Sequence, residues 1–116
     1  MLTAAILFTL TALGGATAAS FPLRGLPRPP TWLALGHGVA AIASFGMLAY
    51  AATGQSLALL EQLAVGMLGL AAVGGLTLFL GFHLRGKPLP VFLVIGHGVV
   101  AVAAVALLWY SVYRSL

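Results

Sequence analysis

The sequence predicts an all-α fold: an integral membrane four-helix bundle made of two repeated helical hairpins. Three observations lead there. Of the 116 residues, 62% are apolar and only 5% charged, against about 25% charged in a soluble domain. Four apolar stretches exceed the length of about 18 residues that marks a membrane span. The two halves of the chain also repeat one another at a period of about sixty residues. Residues 1–116 therefore form a single transmembrane domain, with one repeat over about 1–52 and the second over about 56–113.

Helix 1 is expected from Leu2 to Leu23 and is stopped by Arg24-Gly25-Leu26-Pro27-Arg28-Pro29-Pro30, where the prolines forbid continuation. Helix 2 follows from Thr31 to Ala52, and Thr53-Gly54-Gln55 is a short turn. Helix 3 is expected from Ser56 to Phe82, ended by His83-Leu84-Arg85-Gly86-Lys87-Pro88-Leu89-Pro90, and helix 4 from Val91 to Tyr113. Met1–Ser20 ends in Ala-Thr-Ala-Ala-Ser, which imitates a signal-peptidase site. It lacks the basic start of a signal peptide, so it is read as a retained helix.

The charges orient the bundle. Arg24, Arg28, Arg85 and Lys87 fall on the two loops of one face, while Glu61 and Arg114 lie toward the other. The positive-inside rule puts both loops in the cytoplasm and both termini outside, as in a bacterial inner-membrane protein. Tyr50, Trp109, Tyr110 and Tyr113 form the outer aromatic belt, and Trp32, Phe82 and Phe92 the inner one.

Composition also excludes whole classes of chemistry. Without cysteine there is no disulfide, iron–sulfur cluster, thiolate zinc site or covalently attached haem. The net charge of +4 is scattered over loops, with no basic run that could follow nucleic acid.

Within the repeat, Gly14-Gly15 and Thr17 recur as Gly74-Gly75 and Thr77, and Leu23-Arg24-Gly25 as Leu84-Arg85-Gly86. After a one-residue slip, Gly36-His37-Gly38-Val39 recurs as Gly96-His97-Gly98-Val99. Two copies of a two-span unit point the same way, related by an axis along the membrane normal. Helix 2 then faces helix 4, and His37 and His97 share one depth, about 9 Å along their helices at 1.5 Å per residue. The four paired glycines fall at nearly the same level.

Ionisable groups inside a membrane span are costly and face the bundle interior. Two opposed imidazoles ringed by small residues suit a haem b, whose iron takes imidazole as an axial ligand. His37 and His97 are the expected ligands, and Gly14, Gly15, Gly74 and Gly75 would leave room for the ring. Arg24 and Arg85, with Arg28 and Lys87 nearby, are the cations available to the propionates. This pattern resembles the haem-binding four-helix core of the membrane b-type cytochromes, where two helices supply the axial histidines and two supply spacing glycines. The resemblance implies one haem b per chain, because each ligand helix here carries one histidine where di-haem members carry two. It also implies electron transfer, linked to quinone or within a larger redox complex, rather than stand-alone catalysis.

Other readings set against this one are polar packing by the histidines, a bacteriochlorophyll held by His, an accessory structural subunit, and a small transporter built around Glu61. His83 has Pro22 as its repeat counterpart and is expected at the surface or on the propionate side. Arg114 is the expected partner of Glu61.

Overall fold

The computed structural model describes all 116 residues. The chain forms α1 (Leu2–Leu23), α2 (Thr31–Ala52), α3 (Leu59–Leu78) with a π-helical turn over Phe79–His83, and α4 (Val91–Arg114). All four are long and apolar enough to cross a membrane. The outward faces carry exposed Leu10, Leu13, Ile42, Leu70, Val73, Val99 and Val102, a belt that only lipid can solvate. The chain is an integral membrane protein with the bilayer as its surroundings.

The third helix starts later than the expected Ser56. The backbone N–H of Ala58 donates to Glu61 Oε2 at 3.0 Å, so the carboxylate caps the first turn and fixes the start at Leu59. The other oxygen, Oε1, accepts from the Ser111 hydroxyl at 2.9 Å, tying α3 to α4. Arg114, the expected partner of Glu61, instead places its guanidinium 6.0 Å from the Tyr110 ring centre. The cap and the hydroxyl are nearer and already occupy both carboxylate oxygens.

The helices pair closely as α1 with α2, α3 with α4, and α1 with α4, whereas α2 and α3 approach less closely. Alanines permit the tight contacts: Ala4, Ala5, Ala64 and Ala104 are wholly buried. The apolar core lies in the half of the bundle away from the basic loops. There Phe8, Leu48, Leu68, Leu108 and Val112 interlock with those alanines, and Phe8 meets Phe45 edge-on at 5.2 Å. The Trp109 indole N–H donates to the Thr9 hydroxyl at 2.8 Å, so this belt residue also pins α4 to α1.

The basic end is held by backbone bonds. The two loops meet where the Leu89 N–H donates to the Pro27 carbonyl at 2.9 Å. The turns after α1 and α3 are copies of one another. Leu26 N–H closes on the Phe21 carbonyl and Lys87 N–H on the Phe82 carbonyl, with Gly25 at φ 88° and Gly86 at φ 68°. This left-handed position is the reason that each repeat has glycine there.

Candidate functional site: the paired histidine layer

His37 and His97 each lie six residues into a helix that begins at the basic end, at Thr31 and Val91. A proline precedes each start, fixing both helices to begin at corresponding points, and the repeat carries the histidines to one depth. The Nδ1 of His37 pairs with the Thr11 carbonyl at 2.9 Å, and that of His97 with the Ala71 carbonyl at 2.7 Å. Each bond spans 26 residues within its own hairpin. A carbonyl only accepts, so each Nδ1 carries a proton, and in the neutral ring Nε2 then holds the lone pair.

The glycines explain how the imidazoles enter. A Cβ built on Gly15 would lie 2.7 Å from His37 Cε1, and one on Gly75 would lie 3.1 Å from His97 Cε1. A Cβ on Gly74 would lie 3.6 Å from His97 Nδ1, an ordinary contact, whereas one on Gly14 would meet nothing within 4 Å. Gly15 and Gly75 thus make room for the rings of their own hairpin partners. Gly36, Gly38, Gly96 and Gly98 face open space.

The imidazole centroids are 6.2 Å apart and the ring planes cross at 84°. A ring nitrogen lies about 1.1 Å from the imidazole centre and bonds a metal at about 2.0–2.1 Å, the zinc–imidazole length, so two imidazoles sharing one metal in line have centres about 6.2–6.4 Å apart. The separation is that of two imidazoles sharing a metal where their Nε2 atoms face one another, and it is equally that of an edge-to-face ring contact. Each Nε2 is without a hydrogen-bond partner in the protein, and neither is sealed from the surroundings. The Nδ1 bond to a carbonyl is the outer contact that fixes ring orientation in metal-binding histidines. The donor set, two oriented imidazoles whose Nε2 atoms have no partner in the protein, fits an ion that brings its other ligands with it, as haem iron does. No cluster of three or more His, Cys, Asp or Glu exists to cage a bare ion.

The layer is less symmetric than the repeat. Beside His37, the hydroxyls of Thr11 and Ser44 pair at 3.0 Å and are buried, but the equivalent positions in the second hairpin are Ala71 and Ala104. A groove of about 310 Å³ between α3 and α4 reaches His97 past Gly74, Thr77 and Gly96.

The expected cations are at the right end but do not converge on the histidines. Arg24 folds back on its own helix, its Nε donating to the Ser20 carbonyl at 3.0 Å and its guanidinium 4.9 Å from the Phe21 ring centre. Arg85 and Lys87 are exposed. Arg28 is the cation drawn inward, donating to the Gly86 carbonyl at 2.7 Å. His83, expected at the surface or on the propionate side, is buried rather than at the surface, and its Nε2 pairs with the Thr31 hydroxyl at 3.1 Å. The sequence offered one signal for it, the extra residue in the second repeat.

No family model, curated protein or solved structure matches the chain. The site therefore rests on its own geometry.

Proposed function

We propose that the chain is a haem b-binding membrane protein that carries electrons, with His37 and His97 as the two axial ligands of one haem. The observation that carries this reading is the 6.2 Å separation of two imidazoles whose Nδ1 atoms are committed to carbonyls and whose Nε2 atoms are free. Polar packing alone accounts for the Nδ1 bonds, which are the ordinary helix-to-helix glue. An edge-to-face ring contact has this separation as well, but it leaves both Nε2 atoms without a partner, and a shared metal would use them.

Haem bound there supplies a one-electron centre, and the chain supplies what surrounds it. His37 and His97 would hold the iron through their Nε2 atoms, which favours carrying electrons over activating oxygen. Gly15 and Gly75 let the rings reach the layer, and the Thr11 and Ala71 carbonyls hold their orientation. By the positive-inside rule the basic end faces the cytoplasm, which sets the histidine layer nearer that side. Electron exchange with quinone in the bilayer, or with neighbouring membrane subunits, fits a chain with so little surface in water. Glu61 serves as a helix cap in this reading, not as a transport site.

The test is a reduced-minus-oxidised visible spectrum of the detergent-purified protein, with a pyridine haemochrome assay. Sharp low-spin α and Soret bands at about one haem b per chain are expected. A protein that stays colourless after expression with added haem would overturn the proposal and leave the histidines as packing groups. A chlorophyll-type spectrum would replace haem by another tetrapyrrole.

A further inference from the structure

The second hairpin carries one more residue than the first between its histidine layer and its basic turn. Thr17 to Leu23 in the first corresponds to Thr77 to Leu84 in the second. Both ends of the stretch are pinned, at one end by Gly75 against His97 and at the other by the Gly86 turn that copies the Gly25 turn. The surplus is absorbed by a wider turn, in which the Leu84 N–H reaches back five residues to the Phe79 carbonyl at 2.9 Å. Such π-helical turns are rare and recur at functional sites.

This turn sets His83 where the first hairpin has Pro22, and both are buried. The imidazole centroid lies 5.4 Å from that of Phe79. Its Nε2 pairs with Thr31 across the looser α2–α3 side, while its Nδ1 has no protein partner and is not sealed off. Arg28, from the loop before α2, grips the turn that His83 opens and spends one N–H on Gly86, leaving the other guanidinium donors free. Thr31 opens α2, whose unpaired N–H groups add partial positive charge. Around this point Arg24, Arg85 and Lys87 are exposed cations, and the start of α4 carries no ionisable side chain. The single acid of the chain, Glu61, is in the first turn of α3 at the far end. Side chains lean toward the N-terminus of their helix, and α3 runs toward the basic end. His83 therefore leans back toward the His97 layer.

A buried imidazole whose Nε2 takes the Thr31 hydroxyl proton, leaving the Nδ1–H to donate, a guanidinium, and no competing acid make a receptor for carboxylate. We propose that His83 and Arg28, with Thr31 holding the His83 ring, receive the carboxylate groups of the cofactor held by His37 and His97, in place of Arg24 and Arg85. This rests on the haem reading, since haem carries two propionates.

The experiment titrates the protein in detergent with haem b and with its dimethyl ester, which has the same iron and ring but no carboxylates. The wild-type chain is expected to bind haem about tenfold or more tightly than the ester, as charge-assisted hydrogen bonds imply. His83→Phe, which keeps a ring against Phe79 but offers no donor, and Arg28→Gln should each shrink that ratio, while Arg24→Ala should leave it unchanged. Arg28→Gln carries the test alone if the His83 variant does not fold. A ratio unchanged in both variants, or absent in the wild type, would overturn the carboxylate site while leaving the axial ligands intact. Failure of the wild type to bind either compound would instead refute the haem reading.

Discussion

Adding one methyl group at Gly15 probes the histidine layer without touching a ligand. The new Cβ would lie 2.7 Å from His37 Cε1, about 1 Å inside the usual carbon–carbon contact of about 3.5–4.0 Å. The carbonyl bond at 2.9 Å holds the imidazole on one side, so it cannot retreat without stretching that bond. Overpacking of this kind costs about 1–3 kcal/mol, and breaking the bond adds about 0.5–1.5 kcal/mol. Against this, alanine is a better helix former than glycine by about 0.8–1 kcal/mol. Gly15→Ala should therefore be destabilised by about 1–3 kcal/mol overall. Gly75→Ala, with its Cβ at 3.1 Å, needs a smaller shift and should fall between Gly15→Ala and wild type. Gly14→Ala meets nothing within 4 Å and should be neutral or slightly stabilised. Thermal unfolding in one detergent gives the ranking, and haem content of the same samples should follow it. Equal melting temperatures for Gly14→Ala and Gly15→Ala would refute the assignment of Gly15 as the seat of His37.

The other predictions concern the ligands and the polar pairs. His37→Ala and His97→Ala should each abolish the low-spin haem spectrum; a low-spin spectrum surviving in either would remove that residue from the ligand set. The double variant Thr11→Ala with Ser44→Ala copies the second hairpin, which has Ala71 and Ala104 at these positions. An interhelical bond of this kind is worth about 0.6 kcal/mol on average in membrane bundles. Unfolding of the double variant should therefore shift only slightly, and collapse of the fold would show that the hydroxyl pair bears more than packing. Glu61→Ala removes the cap on α3 and its bond to Ser111, and a loss of about 1 kcal/mol is expected, recovered in large part by Glu61→Gln. Equal losses in the two variants would show that the negative charge, rather than the hydrogen bonds, is what matters there.

The spans, the repeat and the shared depth of the histidines were legible because each rests on local pattern. Prolines, apolar length and a sixty-residue period act without knowledge of neighbours, and three of the four helices begin at the expected residue. The start of α3 was missed because Ser56 and Leu57 are apolar or neutral enough to continue the pattern, while the deciding contact, Ala58 to Glu61 Oε2, is a side-chain choice. The glycine pairs were correctly placed at the histidine level, but only coordinates separate Gly15, against an imidazole, from Gly14, against nothing. The same holds for Arg24 and Arg28. Both are cations of one loop, and the inward position of Arg28 follows from the Gly86 carbonyl supplied by the other loop.

The two halves of the bundle divide the tasks of holding together and of holding something. Lipid tails are as apolar as leucine, so helix association in a membrane depends on close packing rather than on burial from water. That packing is concentrated away from the basic end, where wholly buried alanines and Leu108 bring all four helices together. Toward the basic end the contacts become specific and polar: two imidazoles on carbonyls, one imidazole on a hydroxyl, and a guanidinium on a turn. A symmetric bundle would need only two equivalent hairpins. The extra residue that forms the π-helical turn breaks the symmetry at the basic end, and the Thr11–Ser44 pair breaks it beside His37. The turn lies between the histidine layer and the basic loop, and Thr11 of the hydroxyl pair also supplies the carbonyl that holds His37. These differences make the two sides of the paired imidazoles chemically distinct: hydroxyls beside His37, and a buried third imidazole on the helix that seats His97.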